Sequence, residues 1–233
     1  MRGILYGLGI GPGDPDLITL KALTILQRVP VIAYPAPEEG DSLARSIAAR
    51  HFPAGSKELP LRLPLRPDAD AAPHYDRHAE TLADHLSAGR DVALLCVGDP
   101  LFYGSFLYVY QRLAGRYPIE AVPGVTSVSA CAAAARLPLT SYDETLTVVP
   151  ATLDEETLAD RLAVCDAAAV MKVGRHLDKL RRVLDRLGLT AQAVYVERAG
   201  MADQRICPLA DLDTPEAPYF SMVLIHRKGG AGR

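Results

Sequence analysis

The sequence predicts an α/β fold built as two α/β domains, 1–120 and 121–233. Three observations carry this. Apolar runs of strand length alternate with stretches of helical periodicity. Two of those runs, Gly3–Ile10 and Asp91–Val97, pass straight into glycine loops that lead to helices. The alternation then restarts after Glu120–Pro123. Strands joined through helices imply a parallel sheet, with both glycine junctions at its carboxyl edge, where such sheets bind ligands.

The first apolar run ends in a loop with Gly9, Gly11 and Gly13 around Pro12, followed by Asp14 and Asp16. Thr19 is placed to cap the helix LKALTIL. A dinucleotide fingerprint fails on spacing: G-x-G-x-x-G counted from Gly7 meets Pro12, and counted from Gly9 meets Asp14. No Lys-Ser or Lys-Thr closes the loop as a Walker motif requires. The two carboxylates would also repel a pyrophosphate. The loop is therefore either a close backbone approach to a ligand without phosphates or a tight turn with no ligand.

Val31–Tyr34 reads as the second strand, stopped by Pro35 and Pro37. Asp41 is the expected cap of a helix reaching Phe52, with Leu43 and Ile47 on one face. Pro53–Pro73 is rich in Pro and Arg and reads as loop around a short strand near Glu58–Leu61. A helix from Pro73 to Ser87 ends at Gly89. The buried run VALLCV then enters Gly98-Asp99-Pro100 and LFYGSF, the second strand-loop-helix junction. Two such loops facing one crevice indicate a ligand site better than either alone.

Ile119–Val122 is a short strand before Pro123-Gly124-Val125-Thr126-Ser127. The helix Ser127–Arg136 is almost all small residues, which permits close packing on a neighbour or a ligand. In the second half, strands at Leu146–Pro150, Ala167–Met171, Ala193–Val196 and Tyr219–His226 alternate with helices at Asp154–Cys165, capped by Asp154, and Arg175–Leu187. The tail RKGGAGR is expected to be disordered.

Composition narrows the function. A chain of 233 residues, 49% hydrophobic, can bury full cores. A net charge of -3 offers no nucleic-acid surface. Cys96, Cys131, Cys165 and Cys207 are scattered with no C-x-x-C, which fits reduced thiols and leaves no metal-ligand spacing. The first apolar run is too short and too broken by glycine for a signal peptide, and no stretch is long enough to span a bilayer. A cytoplasmic protein without membrane or nucleic-acid partners is expected.

Taken together, the junctions resemble the tetrapyrrole methylases, the class III S-adenosylmethionine-dependent methyltransferases. Leu8-Gly9-Ile10-Gly11-Pro12-Gly13 with Leu17-Ile18-Thr19-Leu20-Lys21-Ala22 is similar to the family's first signature, with Ile10 a mild departure. Val92-x-x-Leu95-x-x-Gly98-Asp99, Tyr103-Gly104 and Pro123-Gly124 are similar to its second. The stretches GPGDPDLITLKA, VIAYPAP, PGVTSVSACAA, VMKVGRH, VERAGM and PYFSMVLI resemble members that methylate C20 of precorrin-2 to give precorrin-3A in cobalamin biosynthesis. The resemblance implies two α/β domains with the cofactor, S-adenosyl-L-methionine, in the cleft between them, and a homodimer.

Motif by motif, it also implies cofactor contacts at Pro12, Gly98, Asp99, Leu101, Phe102, Thr126, Ser127, Met171 and Ala199, mostly through backbone groups. Members that methylate uroporphyrinogen carry an Asp after the second strand, where this chain has Pro35, so that acid–base role has no carrier here.

The implied chemistry is direct displacement at a sulfonium methyl by an electron-rich meso carbon. Alignment and exclusion of water then do most of the work, with orientation alone worth roughly 7–11 kcal/mol. A base is needed only for the proton lost after transfer. Asp14, Asp16, Asp99, His176 and Glu197 all lie near strand ends, and the sequence does not choose among them. The substrate carries eight carboxylates, so cations are expected around it: Lys172, Arg175 and Arg198 beside motif loops, and less specifically Arg45 and Arg62. Cobalt, if present, rides on the substrate, as in cobalt-factor II of the early-cobalt route; the chain itself needs no metal. A family methylase with a protein or RNA acceptor, a nucleotide-binding oxidoreductase and a non-catalytic tetrapyrrole carrier are the competing readings.

Overall fold

A computed structural model of the chain describes residues 1–64 and 70–228. The middle of the Pro/Arg-rich loop and the last residues of the tail fall outside the described residues. The chain divides into two compact units, Met1–Thr126 and Ser127–Arg233. The division falls a few residues beyond 120, because the strand Ile119–Val122 pairs with the first strand of the chain and so belongs to the first unit.

The first unit runs β1 (Leu5–Gly9), α1 (Leu20–Leu26), β2 (Val31–Pro37), α2 (Leu43–Ala48), β3 (Lys57–Leu63), α3 (Ala72–Ser87), β4 (Val92–Cys96), α4 (Phe106–Leu113) and β5 (Ile119–Val122). Its sheet has the order β3-β2-β4-β1-β5 and every pairing is parallel. Alternate strand residues feed two cores. Leu8, Ile32, Tyr34 and Leu95 pack with Ile25 and Ile47 on one face. Leu5, Val31, Val92 and Leu94 pack with Leu82, Leu86, Phe106 and Val109 on the other. This is why the strands read as continuous apolar runs rather than alternating ones.

Two local expectations are corrected. Pro35 and Pro37 do not stop β2. Its ladder to β4 ends at Ala33, and from Tyr34 to Pro37 it pairs only with β3, so no central ladder needs the missing amides. Ser42, not Asp41, caps α2: its hydroxyl oxygen accepts from Arg45 N at 3.2 Å and donates to the Pro35 carbonyl at 2.6 Å. That helix ends at Ala48 and tightens into a 3₁₀ turn before Phe52.

The second unit runs α5 (Ser127–Ala135), β6 (Leu146–Pro150), α6 (Glu155–Ala163), β7 (Ala167–Met171), α7 (Leu177–Arg186), β8 (Ala193–Glu197), β9 (Arg205–Pro208) and β10 (Ser221–His226). The sheet order is β6-β7-β10-β8-β9. It is mixed, not parallel: β6 and β7 are parallel, while β10 runs antiparallel between β7 and β8, and β9 antiparallel to β8. A 3₁₀ turn at Gly174–His176 precedes α7, and Asp154 caps α6 through Thr157 N at 2.9 Å. The core joins Leu158, Leu162, Leu180, Leu184, Tyr195 and Val223. Arg227, at the start of the tail expected to be disordered, is instead anchored: its guanidinium donates to the carbonyls of Cys165 at 2.7 Å and Leu162 at 2.9 Å.

Candidate functional site

In the first unit, β4, β1 and β5 are neighbours, so the loops leaving their carboxyl ends lie side by side. They lock together through glycine. Gly98 N donates to Gly11 O at 2.8 Å, an isolated antiparallel bridge between the first two loops. A Cβ on Gly9 would stand 2.4 Å from Gly124 N, and one on Gly124 would stand 2.1 Å from Gly98 O. The three backbones touch where no side chain fits, so these glycines serve close approach of chain to chain.

Asp99 completes the lock. One carboxylate oxygen accepts from Leu101 N at 2.9 Å and the other from Gly124 N at 3.0 Å. Its charge is committed to shaping the second and third loops. Pro12 and Gly98 are buried; Phe102, Thr126 and Ser127 are half-buried; Leu101 is exposed. Tyr103 holds a left-handed backbone, φ 56°, in the same loop. Cys96, just before Gly98, is no nucleophile, since burial and then Asp99 push its thiol pKa up. Burial likewise pushes the Cys131 thiol up to about 12.

The other acids of the first loop are also committed. Asp14 accepts from Asp16 N at 2.8 Å, and Asp16 pairs with Arg50. Pro35 lines a small cavity with Leu61, Leu63, Leu95 and Phe106, which Tyr75, His78 and Ser105 also border. Arg45 is bound to Glu58 at 2.6 and 3.1 Å, and Glu58 also accepts from the Tyr34 hydroxyl at 2.7 Å. Arg62 donates to the Pro37 and Glu38 carbonyls at 2.8 and 3.1 Å. Both of these cations serve the β2–β3 edge.

In the second unit, Met171, Lys172, Arg175, Glu197, Arg198 and Ala199 gather at the carboxyl ends of β7 and β8. Lys172 and Arg198, each directly after its strand, hold left-handed backbones with φ 55° and 49°. Such a conformation costs a residue with a Cβ about 1–2 kcal/mol. Its appearance at both strand ends marks a shaped edge rather than a free turn. Sequence reasoning could not see this: nothing in a Lys or an Arg announces positive φ. The three proposed cations differ. Arg198 is paired with Asp203, whereas the exposed Arg175 has no ion-pair or hydrogen-bond partner among the described residues. Glu197 accepts from the fully buried Tyr195 hydroxyl at 2.8 Å. Among the described residues no cluster of His, Cys, Asp and Glu is placed to hold a metal, and no helix is long and apolar enough to cross a membrane.

Comparison with known proteins joins both sets of loops in one family. The sequence model of the tetrapyrrole (corrin/porphyrin) methylases matches residues 4–213. The chain is 44% identical to the cobalamin biosynthesis protein CobIJ of Mycobacterium tuberculosis, over 96% of this chain and 46% of that protein, so it spans about half the length of that relative. It is 44% identical to the precorrin-2 C(20)-methyltransferase of a Sinorhizobium species, over 96% of this chain and 95% of that one. The uroporphyrin-III C-methyl transferase from Thermus thermophilus, solved with S-adenyl homocysteine, superposes with a TM-score of 0.71 at 25% identity, covering 97% of this chain and 98% of that one. The fold is accordingly the two-domain class III methyltransferase fold, and the chain belongs to the tetrapyrrole methylase family.

Proposed function

We propose that the chain is an S-adenosylmethionine-dependent methyltransferase that methylates C20 of precorrin-2 to give precorrin-3A in cobalamin biosynthesis. The observation that carries this reading is the 44% identity to the Sinorhizobium precorrin-2 C(20)-methyltransferase over nearly the whole of both chains. The site chemistry supports the donor. The three loops of the first unit, Gly9–Asp16, Val97–Ser105 and Pro123–Thr126, contain acids and glycines but no Lys or Arg. That composition suits a ligand with a sulfonium and an ammonium and no phosphates. We assign Pro12, Gly98, Asp99, Leu101, Phe102, Thr126, Ser127, Met171 and Ala199 to it, with Asp99 acting by holding the loops. S-adenosylmethionine supplies the electrophilic methyl group.

For the substrate, Lys172, Arg175 and Arg198 pair with its carboxylates, Arg175 most readily because it gives up no existing partner. The half-buried Phe102 and Met171 keep water from the transfer. A cytoplasmic homodimer is part of the same reading; the exposed Leu107, Tyr108 and Tyr110 on α4 offer an apolar face for it.

The test is anaerobic methyl transfer from S-adenosylmethionine, with precorrin-2 and cobalt-factor II supplied in parallel. Transfer to precorrin-2 is expected. Transfer to the cobalt form alone would move the enzyme to the early-cobalt route, and transfer to neither would overturn the substrate.

A further inference from the structure

Methylation at C20 leaves a proton to be removed, and the structure narrows what removes it. Asp99 is spent on two backbone amides, Asp14 on Asp16 N, and Asp16 on Arg50. Glu197 is tied to the Tyr195 hydroxyl. His176 is different. It closes the 3₁₀ turn Gly174–His176, four residues beyond Lys172 at the carboxyl end of β7. It is half-exposed, and no hydrogen bond to its ring is found among the described residues. Its backbone is fixed by donation from its N–H to Val173 O at 2.6 Å.

Resting on the function proposed above, we propose that His176 is the general base that takes the C20 proton after methyl transfer. Its surroundings hold the imidazole neutral at physiological pH. Burial, then Lys179 and Arg175, lower its pKa below the ordinary histidine value, and these two cations are the charges that act on it. His176 also sits at the N-cap of α7, where the positive end of the helix dipole opposes protonation. The arrangement suits the substrate: carboxylates that bind Arg175 would offset its field and raise the basicity of His176 only once the substrate is in place.

The step balances. The π electrons at C20 form the new carbon–methyl bond as the sulfonium carbon–sulfur bond breaks, and that electron pair stays on sulfur. The macrocycle then carries one positive charge. The neutral ring nitrogen of His176 takes the C20 proton, the C–H electron pair returns to the conjugated system, and the imidazolium releases its proton to water.

The experiment compares wild type with His176→Gln under single turnover, using substrate with hydrogen or deuterium at C20. In the variant, the release of S-adenosylhomocysteine should persist as a burst. Formation of the deprotonated product should slow on the order of 10²-fold or more, acquire a primary isotope effect, and partly recover with added imidazole. The acid limb of the single-turnover rate of product deprotonation, present in wild type, should be lost. Histidine NMR of the free protein, assigned through the same variant, should show His176 titrating below its ordinary value. Turnover of His176→Gln within twofold of wild type overturns the proposal. So does a loss without isotope effect or imidazole rescue, or a His176 resonance that titrates at or above the ordinary value. Failure of wild type to methylate either tetrapyrrole would instead overturn the underlying function, and the base assignment with it.

Discussion

Asp99 and Lys172 show how single residues shape the two halves of the site. Replacing Asp99 with Ala leaves Leu101 N and Gly124 N without their acceptor. An orphaned, partly buried amide costs about 1–3 kcal/mol, so Asp99→Ala should lower the urea midpoint and weaken S-adenosylmethionine binding in calorimetry together. Binding lost at unchanged stability would mean that the carboxylate meets the ligand directly. Lys172 makes the opposite kind of prediction. At φ 55° a glycine relieves the clash that any Cβ suffers, whereas a β-branched residue makes it worse. Lys172→Gly should therefore leave stability unchanged or raise it by up to about 1 kcal/mol, while Lys172→Val should lower it by about 1–2 kcal/mol. Both should bind substrate more weakly, having lost the cation. Equal stabilities for the two variants would show that the left-handed backbone is not retained.

Between elements, the tie that joins the start of β6 to the end of β10 is Glu144. Its carboxylate, with a side chain only 8% exposed, meets Lys228 Nζ at 2.9 Å, Ser141 N at 2.9 Å and His226 Nε2 at 3.3 Å. Lys228 first, then the Ser141 amide, hold its pKa down to about 2. The unfolded chain therefore binds this proton more readily than the folded one between about 4.5 and 2, and in that window stability rises with pH. Glu144→Gln should be less stable than wild type at pH 7, and the gap in urea midpoint should close as pH falls toward 2. A constant gap would mean the charge is irrelevant to the tie. The element scale is also where the sequence was most legible. Ile119–Val122, Leu146–Pro150 and Ala167–Met171 are strands with the expected bounds, and the last is apolar throughout because it lies buried inside its sheet. The four residues of β9, mostly exposed, carry no such signal and were missed. Positive φ at Lys172 and Arg198, and the service of Asp99 to Gly124 far along the chain, arise from tertiary packing that no local pattern encodes. The glycine loops could be located in the sequence, but not which backbone each glycine would admit.

At the scale of the molecule, the two units have separate hydrophobic cores: two clusters in the first around its parallel sheet, one in the second around its mixed sheet. Chains built from two cores commonly depart from a single cooperative transition. Urea unfolding should accordingly resolve two steps, with Asp99→Ala shifting one and Glu144→Gln the other, since each side chain serves the packing of a different unit. Ligand then reports which units hold it. S-adenosylhomocysteine at about 100 times its Kd stabilises a unit that binds it by about 2.7 kcal/mol and leaves a unit that does not bind it where it was. The proposed cofactor residues come from both units, Pro12 to Thr126 from the first and Ser127, Met171 and Ala199 from the second, so both steps should move upward and merge. Movement of the first step alone would remove Ser127, Met171 and Ala199 from the cofactor site and confine the donor to the three glycine loops. The strained edge of the second sheet would then have to be explained by the tetrapyrrole alone.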